Sequence, residues 1–347
     1  MKYSPTVALG RRIISACIGT GVLATAAAGC GFGAPRARLG YLPTATFAVV
    51  FADPDNLGRH AYEYSPFEHG GIVYTCSAGH MDIDHIRGSA DLTRHMVNRV
   101  RQTLSAGHGS LSFTLAGETS VHLIEFAYPA DWRSRPDRDR IIEEIALGTG
   151  PYLAYNATIW HEILTWFGVR FMAIEPEFNS AFSWDDLYSN VLGTHLALEA
   201  MNDPRHDFDT AMTLALAARL KELGVQPRRT AITASRKVSG TWYTGNLIPD
   251  LKMRNFDIGL DGFVTPTLIE GVEGCSGAKP AALAAPTLER LKQNGFSMAH
   301  RITPNVFEQE AIFRAAGSRR IFFETHVPIL LAHIKNDAAR RGYQYTE

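Results

Sequence analysis

The chain has 347 residues, of which 46% are hydrophobic, and this is enough to bury a substantial core in one large domain or two small ones. Its 34 Lys and Arg side chains are matched by 35 Asp and Glu side chains, which gives a formal net charge of −1 at pH 7. A chain without excess positive charge has no long-range field that attracts phosphate backbones, so we expect no nucleic-acid binding.

The N-terminal segment has the pattern of an export signal. Three basic side chains precede an uncharged stretch rich in Ala and Gly, residues 13–29, and this order is typical of a secretory signal peptide. The stretch ends in Ala27-Ala28-Gly29 before Cys30, which resembles a bacterial lipobox with Ala27 in the usual place of Leu. We therefore predict a signal peptide over residues 1–29 and lipidation of Cys30. The alternative is an ordinary cleaved signal in which Cys30 is incidental.

The segment after Cys30 predicts how the chain is held at a membrane. Residues 30–38 are rich in Gly, Pro and Arg, which suits a short lipidated tether, and residues 39–347 are expected to form a single globular domain. Gly31, in place of Asp, resembles the sorting signal of outer-membrane lipoproteins. The expected partner is thus a membrane, bound through the lipid anchor, and the expected location is the periplasm-facing side of the bacterial cell envelope, at the outer membrane.

Two cysteines remain for the folded part of an exported chain. Cys17 leaves with the signal and Cys30 is acylated, so Cys76 and Cys275 can pair in an oxidising compartment. The alternative is two separate thiols.

Short β-branched and aromatic runs that end at Gly, Pro, Asn or Asp predict strands. These runs cover residues 46–52, 71–76, 111–115, 121–127 and 320–324. The third and fourth are separated by Ala116-Gly117-Glu118 and predict a hairpin.

Caps, prolines and glycines set the bounds of the predicted helices. The helices cover residues 137–147, 151–167, 184–201, 209–223, 304–316 and 328–341, and a further helix follows Cys76. Helix therefore predominates, and the sequence predicts an α+β fold, a helix-dominated single globular domain with a small β component.

The helix that follows Ser183 carries two local signals. Ser183 and Asp186 form an acidic variant of the capping box at its start. Ser189, Gly193 and Ala197 lie on one line along the helix, so a neighbouring helix can approach closely.

The densest group of potential ligands lies between Cys76 and His95. On residue types alone this segment could hold a metal ion. Helical periodicity places Asp84, Asp91 and His95 opposite the apolar stripe, so we expect these three side chains to be solvated. His85 falls at the edge of the stripe, where a side chain can be half buried, and is the better candidate for a site.

The helix predicted over residues 151–167 is apolar almost all round, which is typical of a buried helix. Its polar side chains, Thr158, His161, Glu162 and Thr165, make one narrow stripe. The sequence from His161 begins like the zinc-protease motif HExxH, but Thr165 occupies the position of the second histidine, which excludes a standard enzyme of that class. A buried His and Glu require partners or a function; a polar seam in the core is the alternative.

Cys76 is a candidate nucleophile. A thiol between a strand and a helix start gains thiolate character from the helix N-terminus, and His161 or His85 would then serve as its base. This interpretation predicts a cysteine-dependent hydrolase. The alternatives are a buried thiol or a bond to Cys275.

Three stretches, residues 71–91 (GIVYTCSAGHMDIDHIRGSAD), 160–168 (WHEILTWFG) and 180–193 (SAFSWDDLYSNVLG), resemble an uncharacterised bacterial family of lipoprotein-like chains, domain of unknown function 4056. The resemblance implies no known activity. It implies that the family's motif stretches include His85, Arg87, Asp91, His161, Glu162, Ser183 and Ser189.

The first functional hypothesis is a metal-dependent hydrolase that acts on an envelope substrate. In this hypothesis His85 and His161 bind a zinc ion, Glu162 or Asp91 is the general base or the remaining ligand, and Arg87 stabilises an anion. The alternative is a non-catalytic envelope binding or structural lipoprotein in which the same side chains form a polar network.

Overall fold

The computed structural model describes residues 49–168, 170–171, 175–176, 180–244 and 250–347. The predicted signal peptide, the tether and Cys30 lie outside these residues. Within them, helix is the most abundant secondary structure. The helices are α1 (Ile83–Ser105), α2 (Arg138–Trp166), α3 (Asp186–Met201), α4 (Phe208–Glu222), α5 (Arg228–Lys237), α6 (Glu289–Gln293), α7 (Gln309–Ala316) and α8 (Phe323–Arg340), with a 3-10 turn at Trp132–Ser134.

The strands form small sheets. They are β1 (Ile72–Thr75), β2 (Gly79–Asp82), β3 (Ser110–Phe113), β4 (Val121–Ala127), β5 (Arg170–Phe171), β6 (Glu175–Pro176), β7 (Met253–Asn255), β8 (Phe263–Val264), β9 (Leu283–Ala284), β10 (Ser297–Thr303), β11 (Ile321–Phe322) and β12 (Gln344–Thr346). The largest sheet has the antiparallel order β11-β10-β4-β3, and β7 pairs in parallel with β12. Together the described elements form a single globular α+β fold in which helix dominates, so the predicted fold class is confirmed.

Helices α1, α2 and α3 pack against one another at the centre, and two glycines permit the close approach. A Cβ atom on Gly150 of α2 would lie 2.4 Å from Val97 Cγ2, and one on Gly193 of α3 would lie 2.2 Å from the main-chain oxygen of Ile86. The prediction of a close helix neighbour along Gly193 is therefore confirmed.

Helix α2 corrects a predicted boundary. The glycine at position 148 and the proline at position 151 predicted two helices, but α2 continues through both. Pro151 lacks one main-chain N–H, which removes only one helical hydrogen bond, and packing of the buried helix against α1 outweighs this loss. Helix α8 likewise contains Pro328 and begins earlier than predicted, at Phe323, whereas α7 begins later than predicted, at Gln309.

The predicted strands have mixed outcomes. The strand over residues 71–76 is present as β1, and the predicted hairpin is present as β3 and β4. The predicted strand over residues 46–52 lies partly outside the described residues; of its described part, only Phe51 forms a β-bridge, to Ile72.

Long helices connect two main parts of the core. The first half of α1 and the second half of α2 pack with α3, α4 and α8, whereas their other halves pack against the four-stranded sheet. In the described part of the chain, none of the helices is both long and apolar enough to cross a membrane.

Candidate acid–base site

His85 lies in the first turn of α1, beside the residue that caps this helix. The Asp82 side chain accepts hydrogen bonds from the main-chain N–H groups of Asp84, at 2.7 Å, and His85, at 3.3 Å, which is the usual role of an N-cap aspartate. This places a carboxylate near the imidazole. His85 Nδ1 lies 3.7 Å from Asp82 Oδ2 and 3.0 Å from Asp186 Oδ1. The His85 side chain is 24% exposed, so the predicted position at the edge of the apolar stripe is confirmed.

The turn before α3 brings further carboxylates to His85. Phe182 N–H donates to Glu162 Oε2 at 2.6 Å, the Ser183 hydroxyl donates to Asp185, and Ser183 N–H donates to Asp186 Oδ2 at 3.1 Å. Asp186 therefore binds the main chain of the preceding turn with one oxygen and faces His85 with the other.

We call the five side chains that interact here the acid centre. They are Asp82, His85, Glu162, Asp185 and Asp186. All four acidic residues are buried.

Burial and mutual repulsion change the protonation of the acid centre. Burial alone would lower the pKa of His85, but the Asp82 and Asp186 carboxylates outweigh it and raise this pKa well above the ordinary value of 6.5. Burial, followed by repulsion from Asp186, raises the pKa of Glu162 to about 7. Burial also raises the pKa values of Asp185 and Asp186 to about 6.

This arrangement has the properties of an acid–base site. A carboxylate close to an imidazole nitrogen stabilises the protonated form of the ring. The His85 side chain is partly exposed, so a protonated His85 can donate a proton to a bound molecule. Glu162 changes its charge near neutral pH, which is what a general base requires.

The comparison with known families identifies the chain. The family described as Protein of unknown function (DUF4056) matches residues 24–263. The chain belongs to this family. No curated protein and no solved structure matches the chain. The family match includes all of the acid centre and all three stretches that carry the predicted site residues.

Arg87 and Asp91, both within the DUF4056 match, lie in a separate network. His60 Nε2 lies 3.1 Å from Asp91 Oδ1, and His60 Nδ1 lies 3.4 Å from Glu68 Oε1. Arg87 donates to main-chain carbonyl oxygens of the segment 57–69. Arg87 and Asp91 are both buried, because this segment covers the face of α1 that the periodicity left to solvent.

The predicted solvation of Asp84 and Asp91 is therefore wrong, since both are buried. The roles predicted for Arg87 and Asp91 also change. An anion has no open approach to a fully buried guanidinium whose donors point to carbonyl oxygens, so Arg87 is assigned to the network that holds the 57–69 segment on α1. Asp91 is assigned to the same network.

His161, also within the DUF4056 match, contacts a different carboxylate. Its Nδ1 lies 2.7 Å from Glu118 Oε1, and its side chain is 43% exposed. Successive helical residues point about 100° apart, so Glu162 points toward the other members of the acid centre while His161 points toward Glu118. Among the described residues, no three His, Cys, Asp or Glu side chains are arranged to hold a metal ion. The zinc site predicted on His85 and His161 therefore has no support from the described residues.

Cys76 forms a disulfide with Cys275, which is one of the two predicted alternatives. It lies in the turn between β1 and β2 and not at the start of α1. A sulfur in a disulfide carries no thiolate. The cysteine-dependent hydrolase therefore has no support from the geometry.

Three members of the acid centre were not among the predicted site residues. Asp82 lies in the segment between Cys76 and His95 but was not singled out, and Asp186 was identified only as a helix cap. The unused signal for Asp185 was its position beside Asp186 at the start of a largely apolar helix, since a capping box needs only one acid.

Proposed function

We propose that this DUF4056 protein is an envelope hydrolase that uses His85 and Glu162 as its acid–base pair. The observation that carries the proposal is the contact of His85 Nδ1 with Asp186, at 3.0 Å, on a side chain that keeps part of its ring exposed. His85 is protonated at neutral pH and acts as the general acid toward the leaving group. Glu162, when ionised, acts as the general base that removes a proton from the attacking water.

The envelope location is supported by two independent features. The N-terminal sequence has the order of a signal peptide followed by Cys30, and the folded part contains the Cys76–Cys275 disulfide, which is typical of proteins in oxidising compartments. In the proposal, the lipid on Cys30 anchors the protein at the outer membrane and the acid centre acts on an envelope polymer or lipid. Incorporation of labelled palmitate into the wild type but not into Cys30→Ala tests the anchor.

The catalytic proposal is tested with purified protein on two envelope substrates, isolated peptidoglycan sacculi and phospholipid vesicles. Soluble fragments are measured for the wild type, His85→Gln, Glu162→Gln and a matched control, His206→Gln. His206 also contacts an aspartate, with its Nδ1 2.8 Å from Asp203 Oδ2, but it lies outside the acid centre. We expect the two site variants to lose about a hundredfold or more in rate, the usual contribution of general acid–base catalysis, and the control to stay within about twofold.

Equal rates in His85→Gln and the wild type contradict the proposed roles. If the folded wild type releases fragments from neither substrate, the hydrolase proposal is wrong and the non-catalytic envelope protein is favoured. Elemental analysis of the same preparations tests the alternative of a zinc-dependent hydrolase. A stoichiometric zinc ion would require a ligand outside the described residues.

A further inference from the structure

Phe182 adopts a backbone conformation that is uncommon for a side chain of its size. Its φ is 55°, in the left-handed region that favours glycine. Non-glycine residues stay there only when their surroundings hold them, and they concentrate at functional sites. Glu162 Oε2 accepts from Phe182 N–H at 2.6 Å, and the Phe182 carbonyl accepts from Asn255 N–H at 2.9 Å. The turn is therefore fixed on both sides of Phe182.

Arg254 supplies a third contact to the same turn. Its Nη1 donates to the main-chain oxygen of Ala181, and its side chain is fully buried. The guanidinium carbon lies 5.1 Å from the centre of the Tyr343 ring and 5.6 Å from that of Trp166, so aromatic faces help to stabilise the charge. Arg254 and Asn255 both belong to β7, and this strand thus meets the turn at two successive residues.

Arg254 also acts on the acid centre through its charge. Burial lowers the pKa of Arg254 to about 10, so the guanidinium stays protonated at neutral pH. Tyr343, Asp250 and Glu162 each act in the opposite direction and raise the pKa of Arg254. The attraction is mutual, so the positive charge of Arg254 favours the ionised form of Glu162.

We propose that Arg254 is a positioning residue of the acid centre, which holds the Phe182 turn so that Asp186 reaches His85 and keeps Glu162 available as a carboxylate. This role rests on the proposed function of the acid centre. Arg254 touches no reacting atom; it acts through the turn and through Glu162. Its loss should therefore change the pH at which Glu162 ionises as well as the rate.

The test compares Arg254→Met, Arg254→Lys and a matched control, Arg101→Met. Arg101 forms an ion pair with Glu143 at 2.7 Å, away from the acid centre. Two measurements need no substrate: the carboxyl ¹³C titration of Glu162, assigned by its loss in Glu162→Gln, and hydrogen exchange at the Phe182 amide. We expect Arg254→Met to raise the pKa of Glu162, because a positive charge that favours the carboxylate is removed, and to speed Phe182 exchange roughly tenfold.

The lysine variant separates charge from geometry. Arg254→Lys keeps the charge but loses the planar donor group, so we expect Phe182 exchange to rise while the pKa of Glu162 stays near its wild-type value. This variant also carries the test if Arg254→Met does not fold. The proposal is overturned if every folded Arg254 variant has the same Phe182 amide exchange rate and the same Glu162 pKa as Arg101→Met.

Turnover measurements separate the two proposals. For an active wild type, the acidic limb of the pH–rate profile reports ionisation of Glu162, and it should move to higher pH in Arg254→Met. If the wild type has no activity but the titration and exchange effects are present, the proposed hydrolase fails and the positioning role stands. If Arg254→Met loses activity without either effect, the positioning role is wrong and the hydrolase stands.

Discussion

Histidines in two regions of the molecule have opposite protonation. His85 lies among carboxylates, whereas His122 of β4 and His300 of β10 lie in the sheet core, with His122 Nδ1 2.9 Å from His300 Nε2. His122 stacks on Phe113 with ring centres 4.6 Å apart, and His300 stacks on Phe323 at 5.3 Å. Burial lowers the pKa of His300 to about 3 and, with repulsion from His300, lowers that of His122 well below 6.5. The comparison shows that burial favours neutral imidazole unless carboxylates are within reach.

The two regions therefore predict opposite effects of pH on stability. The pKa of His85 is raised in the folded state, so its contribution is fully present below about pH 6.5 and is lost as pH rises through the folded pKa. The pKa values of His122 and His300 are lowered, so their contribution is present above about pH 6.5 and is lost as pH falls toward the folded pKa.

The largest expected effect breaks the acid centre. His85→Gln leaves the buried carboxylates without their neighbouring cation, and we expect it to lower the free energy of unfolding by about 3 kcal/mol at pH 7.5, the cost of breaking a buried ion pair. The loss should be larger at pH 5, because the contribution of a group with a raised pKa is fully present only below about pH 6.5. Urea denaturation at both pH values measures the difference. A smaller loss at pH 5 than at pH 7.5 would contradict this account.

The next effect breaks the neutral pair. His300→Leu leaves His122 Nδ1 without its partner in an apolar surrounding, and we expect it to cost about 1 to 3 kcal/mol at pH 7.5. The double variant His122→Leu with His300→Leu should recover part of this loss, because no polar atom of the pair then stays buried. Its stability should also fall less than that of the wild type between pH 6.5 and pH 4. A double variant less stable than the single variant would contradict this account.

A smaller effect concerns the slope of stability against pH. The pKa of Glu162 is raised to about 7 in the folded state from an ordinary 4.5, so the folded protein binds this proton more tightly and stability falls as pH rises through that window. One such group contributes up to about 1.4 kcal/mol per pH unit. Glu162→Gln should remove this part of the slope between pH 5 and pH 7 in urea titrations. Glu143→Gln is the control, because Arg101 lowers the pKa of Glu143 and places its ionisation below this window.

Periodicity predicted much of the fold because each long helix buries a continuous apolar face. It failed where tertiary packing outweighed a local signal. At Gly148 and Pro151 the sequence indicates an end, but packing against α1 keeps α2 continuous. The face of α1 that carries Asp91 looks solvated, yet the 57–69 segment covers it. A non-helical segment of this kind has no period from which its position could be predicted.

The site was predicted in part. His85 and Glu162 were both identified, because a histidine at the edge of an apolar stripe and an acid in an apolar helix require partners. Asp186 could not be identified as a partner, since its contact with His85 arises only when α1 and α3 pack together. Asp82 lies three residues before His85, but the sequence did not fix the start of α1, so Asp82 was not identified as its cap. Adjacent residues on α2 posed a further difficulty, because the pattern did not tell which of His161 and Glu162 faces α1.

The smallest expected effect tests that last distinction. The His161 side chain is 43% exposed, whereas the Glu118 side chain that it contacts is only 5% exposed. His161→Ala therefore takes one neighbour from a buried carboxylate, and we expect it to cost about 1 kcal/mol, the lower end of the usual cost of leaving a buried polar group unpaired. Activity of the acid centre, measured as fragment release, should stay within about threefold of the wild type, because His161 lies outside that centre. The corresponding loss in His85→Gln should be about a hundredfold. If His161→Ala instead lost as much activity as His85→Gln while remaining folded, the two histidines would act together, and a shared ion held with a ligand outside the described residues would explain it better than the acid–base pair.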